Sequence, residues 1–226
     1  MERTFLYHAL ASGVSGKITE PFQDLIEVQA ASAIPPTGGY STSRVESFRY
    51  KDMFSFRSST TTTTGNFSDA KQRYTTAGTV TIEELNILGV VTADRVVARL
   101  VSEQPKDEKE EPVFTIAGSH FENLRVAGCP LHVRPDFGRL ADCRRPKKVD
   151  LRTVMIPLEL DASYGLKMHL DGAIEVPEFG KLYFLEFLTT PCYQSLTMVR
   201  LELGCPVTGK ASVGHVSTNG EFYPPS

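Results

Sequence analysis

From Thr79 onward the chain is a succession of short β-branched runs, each stopped by glycine, proline or an Asn/Asp turn. This punctuation constrains the fold more than any other feature. The first runs are Thr79-Val80-Thr81-Ile82, Leu85-Asn86-Ile87-Leu88 before Gly89, and Val90-Val91-Thr92. After Ala93-Asp94-Arg95 comes Val96-Val97-Ala98-Arg99-Leu100-Val101. β-Branched side chains suit a pleated, half-buried surface, and the spacing fits strands with one buried face. Similar runs recur at 113–116, 121–126, 131–133, 154–160, 166–176, 181–188, 196–203 and 211–216, separated by the residues that turns require. Phe5-Leu6-Tyr7 reads as the first strand. Residues 20–33, with Phe22, Leu25, Ile26 and Val28, suit a short helix or a strand, and the strand is preferred. The expected fold is all-β: an antiparallel β-sandwich or barrel-like single domain over residues 1–226. The alternative is a β-solenoid, because Leu85–Gly89, Leu124–Gly128 and Leu201–Gly204 each place apolar strand residues before a glycine.

A chain of 226 residues with 41% hydrophobic and 23% charged residues supports one sizeable core. Its net charge of −3 argues against general affinity for nucleic acid or an anionic membrane. No stretch approaches the roughly twenty apolar residues of a membrane-spanning helix. The apolar part of the N-terminus is too short for a leader, so the sequence as written reads as cytoplasmic. Pro35-Pro36 cannot continue a strand ladder. Loops are expected at 34–44, at the charged, proline-bearing 102–112 and at 134–150. Cys129, Cys143, Cys192 and Cys205 read as free, buried thiols, or as disulfide partners if the protein is exported.

A resemblance adds to this reading. Leu85-Asn86-Ile87-Leu88-Gly89-Val90-Val91-Thr92-Ala93-Asp94, Phe121–Gly128, Val176–Leu182 and Ser195–Leu203 followed by Lys210–Gly214 stand in order along residues 79–216. Together they resemble the strand-and-turn segments of bacterial choice-of-anchor P domain proteins. The resemblance implies an extracellular or cell-surface β domain and by itself implies no particular activity. The leader and the anchor of that family are absent from the sequence as written.

Motifs for chemistry are sparse. Gly13-Val14-Ser15-Gly16-Lys17 lacks the glycine at 11 and the Ser/Thr at 18 that a phosphate loop needs, which leaves a glycine-rich turn. Cys129 and His132 offer two metal ligands without a paired motif, so no cofactor or metal is expected. Ser119-His120 are adjacent, and adjacent strand residues face opposite ways. Glu83-Glu84 and Glu175 with Glu178 carry no spacing that marks a catalytic pair. The basic stretch Arg134, Arg139, Arg144, Arg145, Lys147 and Lys148 is the candidate ligand-binding set, for an anionic partner gripped by guanidinium groups. Its competing reading is a solvated loop.

The most unusual segment is 41–79, with Thr60 through Thr64 in a row and interleaved aromatics. It reads as a long exposed hairpin with a threonine-rich tip, or as an amphipathic hairpin of a β-pore. The leading functional expectation is a non-catalytic β domain for surface contact or self-assembly, as a homo-oligomer or with a protein partner. The alternatives are a glycan- or ligand-binding domain and a pore-forming protein using 41–79.

Overall fold

A computed structural model describes residues 4–107, 110–133, 152–155, 166–169, 172–190, 193–204 and 206–223. Every regular element among them is a strand. The chain is an all-β sandwich of two antiparallel sheets, not a closed barrel or a solenoid.

The first sheet contains β1 (Thr4–Glu20), β2 (Asp24–Ala33), β11 (Arg152–Met155), β12 (Lys167–Met168), β13 (Ile174–Val176), β14 (Gly180–Thr190), β15 (Tyr193–Leu203) and β16 (Thr208–Tyr223). Its order is β12-β13-β14-β15-β16-β1-β2, with β11 also on β14. The N- and C-terminal strands therefore lie side by side, from Thr4 opposite Tyr223 to Glu20 opposite Thr208. The second sheet is a meander of β3 (Gly39–Tyr50), β4 (Phe54–Ser68), β5 (Arg73–Ile87) and β6 (Val91–Pro105). The outer side of β6 is covered in pieces by β7 (Val113–Thr115), β8 (His120–Glu122) and β9 (Arg125–Val126), and β9 pairs with β10 (Cys129–Pro130). Across the sandwich β2 packs on β3 and β4, β1 on β4 and β5, and β16 on β5 and β6.

Both sheets are crossed by a transverse row at which every second strand turns left-handed. In the first sheet the row is Ala30 (φ 51°), Gly13, Gly214 (φ 65°), Met198 and Leu185 (φ 51°). In the second it is Ser47 (φ 55°), Arg57, Glu84 (φ 53°), Asp94 and Asn123 (φ 50°). Left-handed backbone costs a non-glycine residue about 1–2 kcal/mol, so such rows persist only where neighbouring strands enforce them. Their consequence is a reversal of side-chain alternation. Buried positions step by three instead of two across the row: Ala11 to Val14, Phe56 to Ser59, Ile82 to Leu85, Ala93 to Val96 and Val213 to Val216.

The rows divide the interior into two chemically different halves. On one side Ile18, Ile26, Phe54, Leu85, Ile87, Val91, Leu182, Phe184, Val199 and Leu201 form an aliphatic and aromatic core. On the other, Ser59, Thr61, Thr63, Thr76 and Ser102 of the second sheet and Ser32 and Thr218 of the first are buried among Val80, Ile82, Val96, Leu100 and Val216, so hydroxyl and aliphatic side chains mix. Small residues let the sheets approach closely here. A Cβ on Gly13 would lie 2.2 Å from Ser59 Oγ, and one on Gly78 would lie 2.4 Å from Val216 Cγ1. An aromatic cluster closes this end, with Phe5 stacked on Tyr74 at 4.2 Å and Phe222 edge-on to both.

Several expectations are corrected. The loop expected at 34–44 shrinks to the residues between β2 and β3, because Gly39 onward pairs with β4. The loop at 102–112 begins later, since β6 runs to Pro105. Gly13–Lys17 is no turn but the middle of β1, where Gly13 meets the packed face of β4. The threonine run is not a hairpin tip. It lies mid-strand in β4, between β3 and β5, with Thr61 and Thr63 fully buried. Its polarity suggested exposure, but threonine is β-branched and pairs well within a sheet. The expected loop at 134–150 lies outside the described residues.

Candidate functional site

The sandwich has one side on which both sheets end in long strands, β2 and β3. Their outward backbone groups have no neighbouring strand among the described residues. The two ends of this side differ. Beyond the kink row, Tyr50 donates from its hydroxyl to Asp24 Oδ2 at 2.5 Å, and Lys51 Nζ reaches the same oxygen at 3.2 Å. Lys51 also sits 3.4 Å from the centre of the Phe22 ring. This group latches the end of β3 to the start of β2. Burial and the bond to Asp24 push the Tyr50 hydroxyl up to about 12, while that bond and Lys51 hold the Asp24 carboxyl below its ordinary value.

On the other side of Ser47 the β3 edge is open. Residues 40–46 read Tyr-Ser-Thr-Ser-Arg-Val-Glu, with Tyr40 66% exposed. Proteins usually blunt such an edge with lysine, proline or a bulge. Here the left-handed Ser47 and charged Arg49 protect one half, whereas residues 40–43 carry no charge and keep regular pairing with β4.

The outer face of the second sheet carries a polar belt over the kink row. Arg57 contacts Glu83 and Glu84 at 3.0 Å each, Arg95 contacts Glu122 at 3.0 Å, and Ser58 donates to Glu83 at 2.8 Å. The Ser58 bond, then Arg57 and Arg95, keep the Glu83 carboxyl below its usual range. Thr42, Thr60, Thr62, Thr79 and Thr81 fill the same face beside the belt. On the first sheet, Arg200 stacks 3.7 Å over Tyr183 and is bonded to Glu186 at 2.9 Å and Glu202 at 2.8 Å. Burial works against its charge, but Glu186 and Glu202 outweigh it and raise its affinity for the proton. Next to this cluster His215 pairs through Nδ1 with Thr197 Oγ1 at 2.9 Å, and burial pulls its pKa down.

The residues singled out in the sequence are dispersed. Ser119 is buried and its hydroxyl both donates to Arg99 O and accepts from Arg99 N, while His120 Nδ1 faces Gly118 O. Each is thus engaged separately. Cys129 is a free thiol whose Sγ lies 3.7 Å from Ala127 O. Among the described residues no three His, Cys, Asp or Glu side chains cluster as metal ligands. Glu175 meets His169 at 2.7 Å. Arg134, Arg139, Arg144, Arg145, Lys147, Lys148 and the other three cysteines lie outside the described residues. No described helix is long and apolar enough to cross a membrane. The sequence reading missed the open β3 edge. The signal available for it was the uncharged Tyr40–Ser43 next to Pro35-Pro36.

No curated protein and no solved structure matches the chain. The sequence model of a family described as a domain of unknown function, DUF8256, matches residues 5–164, more than half of the chain. That span takes in the hydroxyl-bearing strands of the second sheet, its kink row and the open β3 edge; by this match the chain belongs to the DUF8256 family.

Proposed function

We propose that this protein is a non-catalytic β-sandwich that acts by contact, joining a second copy of itself edge to edge through β3. The observation that carries the reading is the unkinked edge over residues 40–46, which is uncharged from Tyr40 to Ser43 and whose Arg44 and Glu46 pair with each other at 2.8 Å. Antiparallel pairing of this segment with its copy sets Ser43 opposite Ser43 and Thr42 opposite Arg44. Main-chain hydrogen bonds then supply affinity, as in other strand additions. Pairing stops at Ser47, where the backbone turns left-handed. The resemblance of residues 79–216 to choice-of-anchor P domains belongs with this reading and would give it an extracellular or cell-surface setting.

The test is sedimentation velocity of the wild type and of Thr42→Lys across a concentration series. Thr42 is exposed, so the lysine leaves the core untouched. A concentration-dependent dimer that the substitution abolishes supports the proposal. A wild type that stays monomeric at high concentration, or a dimer indifferent to the lysine, overturns it. The hydroxyl-lined β4 counts against the pore alternative, because both of its rows are polar: Thr60, Thr62 and Thr64 outside, Ser59, Thr61 and Thr63 inside. A spanning strand needs one apolar row toward lipid, so no leakage from liposomes is expected.

A further inference from the structure

A concavity of about 150 Å³ opens at the far edge of the second sheet, where β8, β9 and β10 meet. Phe121, Leu124 and Leu131 supply its apolar lining, and Asn123, Arg125 and His132 its polar lining. Two left-handed turns shape it, at Asn123 and at Ala127-Gly128. The backbone bonds Leu131 N to Leu124 O at 2.9 Å and Ala127 N to Val90 O at 2.8 Å tie the loop to the sheet. Water occupies about 30 Å³ per molecule in the liquid, and drug-sized pockets run to roughly 300 Å³ or more. The space therefore suits a small polyatomic group and is too small for a sugar ring with its neighbours.

The charge balance sets the sign of that group. Arg44, Arg49, Arg57, Arg95 and Arg200 each lie within 3.0 Å of a carboxylate oxygen. Arg125 instead donates from Nη1 to the carbonyl of Gly128 at 3.3 Å. A guanidinium carries five N–H groups, so most of its donor capacity remains. Of the acidic groups on the adjoining strands, Glu122 is bonded to Arg95 at 3.0 Å and lies 3.3 Å from His120, while Asp94 keeps its charge and accepts from the neutral Asn123 Nδ2 at 2.6 Å. His132 adds an exposed imidazole to the same wall.

We propose that this concavity is an oxyanion site, in which a phosphate or sulfate group, free or carried on a larger molecule, sits against the Arg125 fork with His132 beside it. The planar guanidinium matches two oxygens of such a group at once. The site is separate from the β3 edge, so it stands or falls independently of self-association.

The test is titration of the full chain with inorganic phosphate, inorganic sulfate and a sulfated oligosaccharide, read by calorimetry and by NMR shifts of the 123–132 backbone amides. Wild type is expected to bind the inorganic ions saturably in the millimolar range, with shifts confined to that loop. Arg125→Ala is expected to weaken binding at least about tenfold, and Arg125→Lys to fall between, since it keeps the charge and loses the fork. Arg125 is exposed, so both variants keep the fold. Tighter binding of the oligosaccharide that is also lost in Arg125→Ala identifies a polymer-borne group; equal loss for the free ions alone identifies a free one. Unchanged affinity in Arg125→Ala overturns the proposal. So does oligosaccharide binding without any response to the inorganic ions, which would place the contact elsewhere.

Discussion

Replacing Thr61 with valine tests the hydroxyl-lined interior directly. Thr61 is fully buried, and its Oγ1 has no hydrogen-bond partner in the protein. Its backbone is well used, with the carbonyl accepting from Thr42 Oγ1 at 2.8 Å and the residue paired with Ser43 and Val80. Valine keeps the shape and β-branching and removes only the hydroxyl. An unpaired buried hydroxyl costs about 1–3 kcal/mol in proteins. Thr61→Val should therefore gain about 1–2 kcal/mol, and at this chain length raise Tm by about 2–8 °C. Calorimetry and urea unfolding at unchanged m-value measure it. Thr62→Val is the control: it stands on the outer, half-buried face of the same strand and should stay within about 0.5 kcal/mol of wild type. A loss of stability in Thr61→Val would refute the reasoning, because it would mean that the hydroxyl is engaged and the polar half is held by hydrogen bonds.

Other outcomes follow from the same geometry. Ser47→Gly relieves left-handed backbone at an exposed site and should gain about 0.5–1 kcal/mol in the unfolding midpoint, whereas Ser47→Val should lose stability. Gly78→Val drives a side chain into Val216 across the sandwich and should cost about 1–3 kcal/mol in the same assay. Burial lowers the folded pKa of His215 below its ordinary 6.5, so the unfolded chain binds the proton more tightly. Stability is then full above pH 6.5 and falls as pH drops below it. A His215→Gln variant should flatten that slope in pH-dependent melts. Asp24 and Glu83, both with lowered pKa, add a second loss as pH falls through the carboxylate range, and Asp24→Asn should reduce it.

Much of the architecture was legible from local pattern. Val80-x-Ile82, Val96-x-Ala98-x-Leu100 and Val199-x-Leu201-x-Leu203 alternate as half-buried strands do, and alternation is a property of single strands that needs no tertiary information. Even the kink rows left a trace, in the three-residue step from Ile82 to Leu85 and from Ala93 to Val96. That trace is visible only once the neighbouring strands show the same step at the same row. The loop bounds at 34–44 and 102–112 were misplaced because proline and charge mark where a strand is discouraged, not where pairing with a neighbour overrides the discouragement.

What the amino-acid order determined alone was class and alternation: β-branched runs broken by turn residues make antiparallel sheets with buried apolar faces. Which strands end at an open edge, that Thr61 and Thr63 of the threonine run face the interior, and that Arg125 lacks a carboxylate while Arg57 has two were decided only by tertiary structure. The physical reason is range. Strand propensity is encoded within a few residues, whereas burial, edge position and charge pairing depend on groups that folding brings together from distant parts of the chain, as Thr4 meets Tyr223.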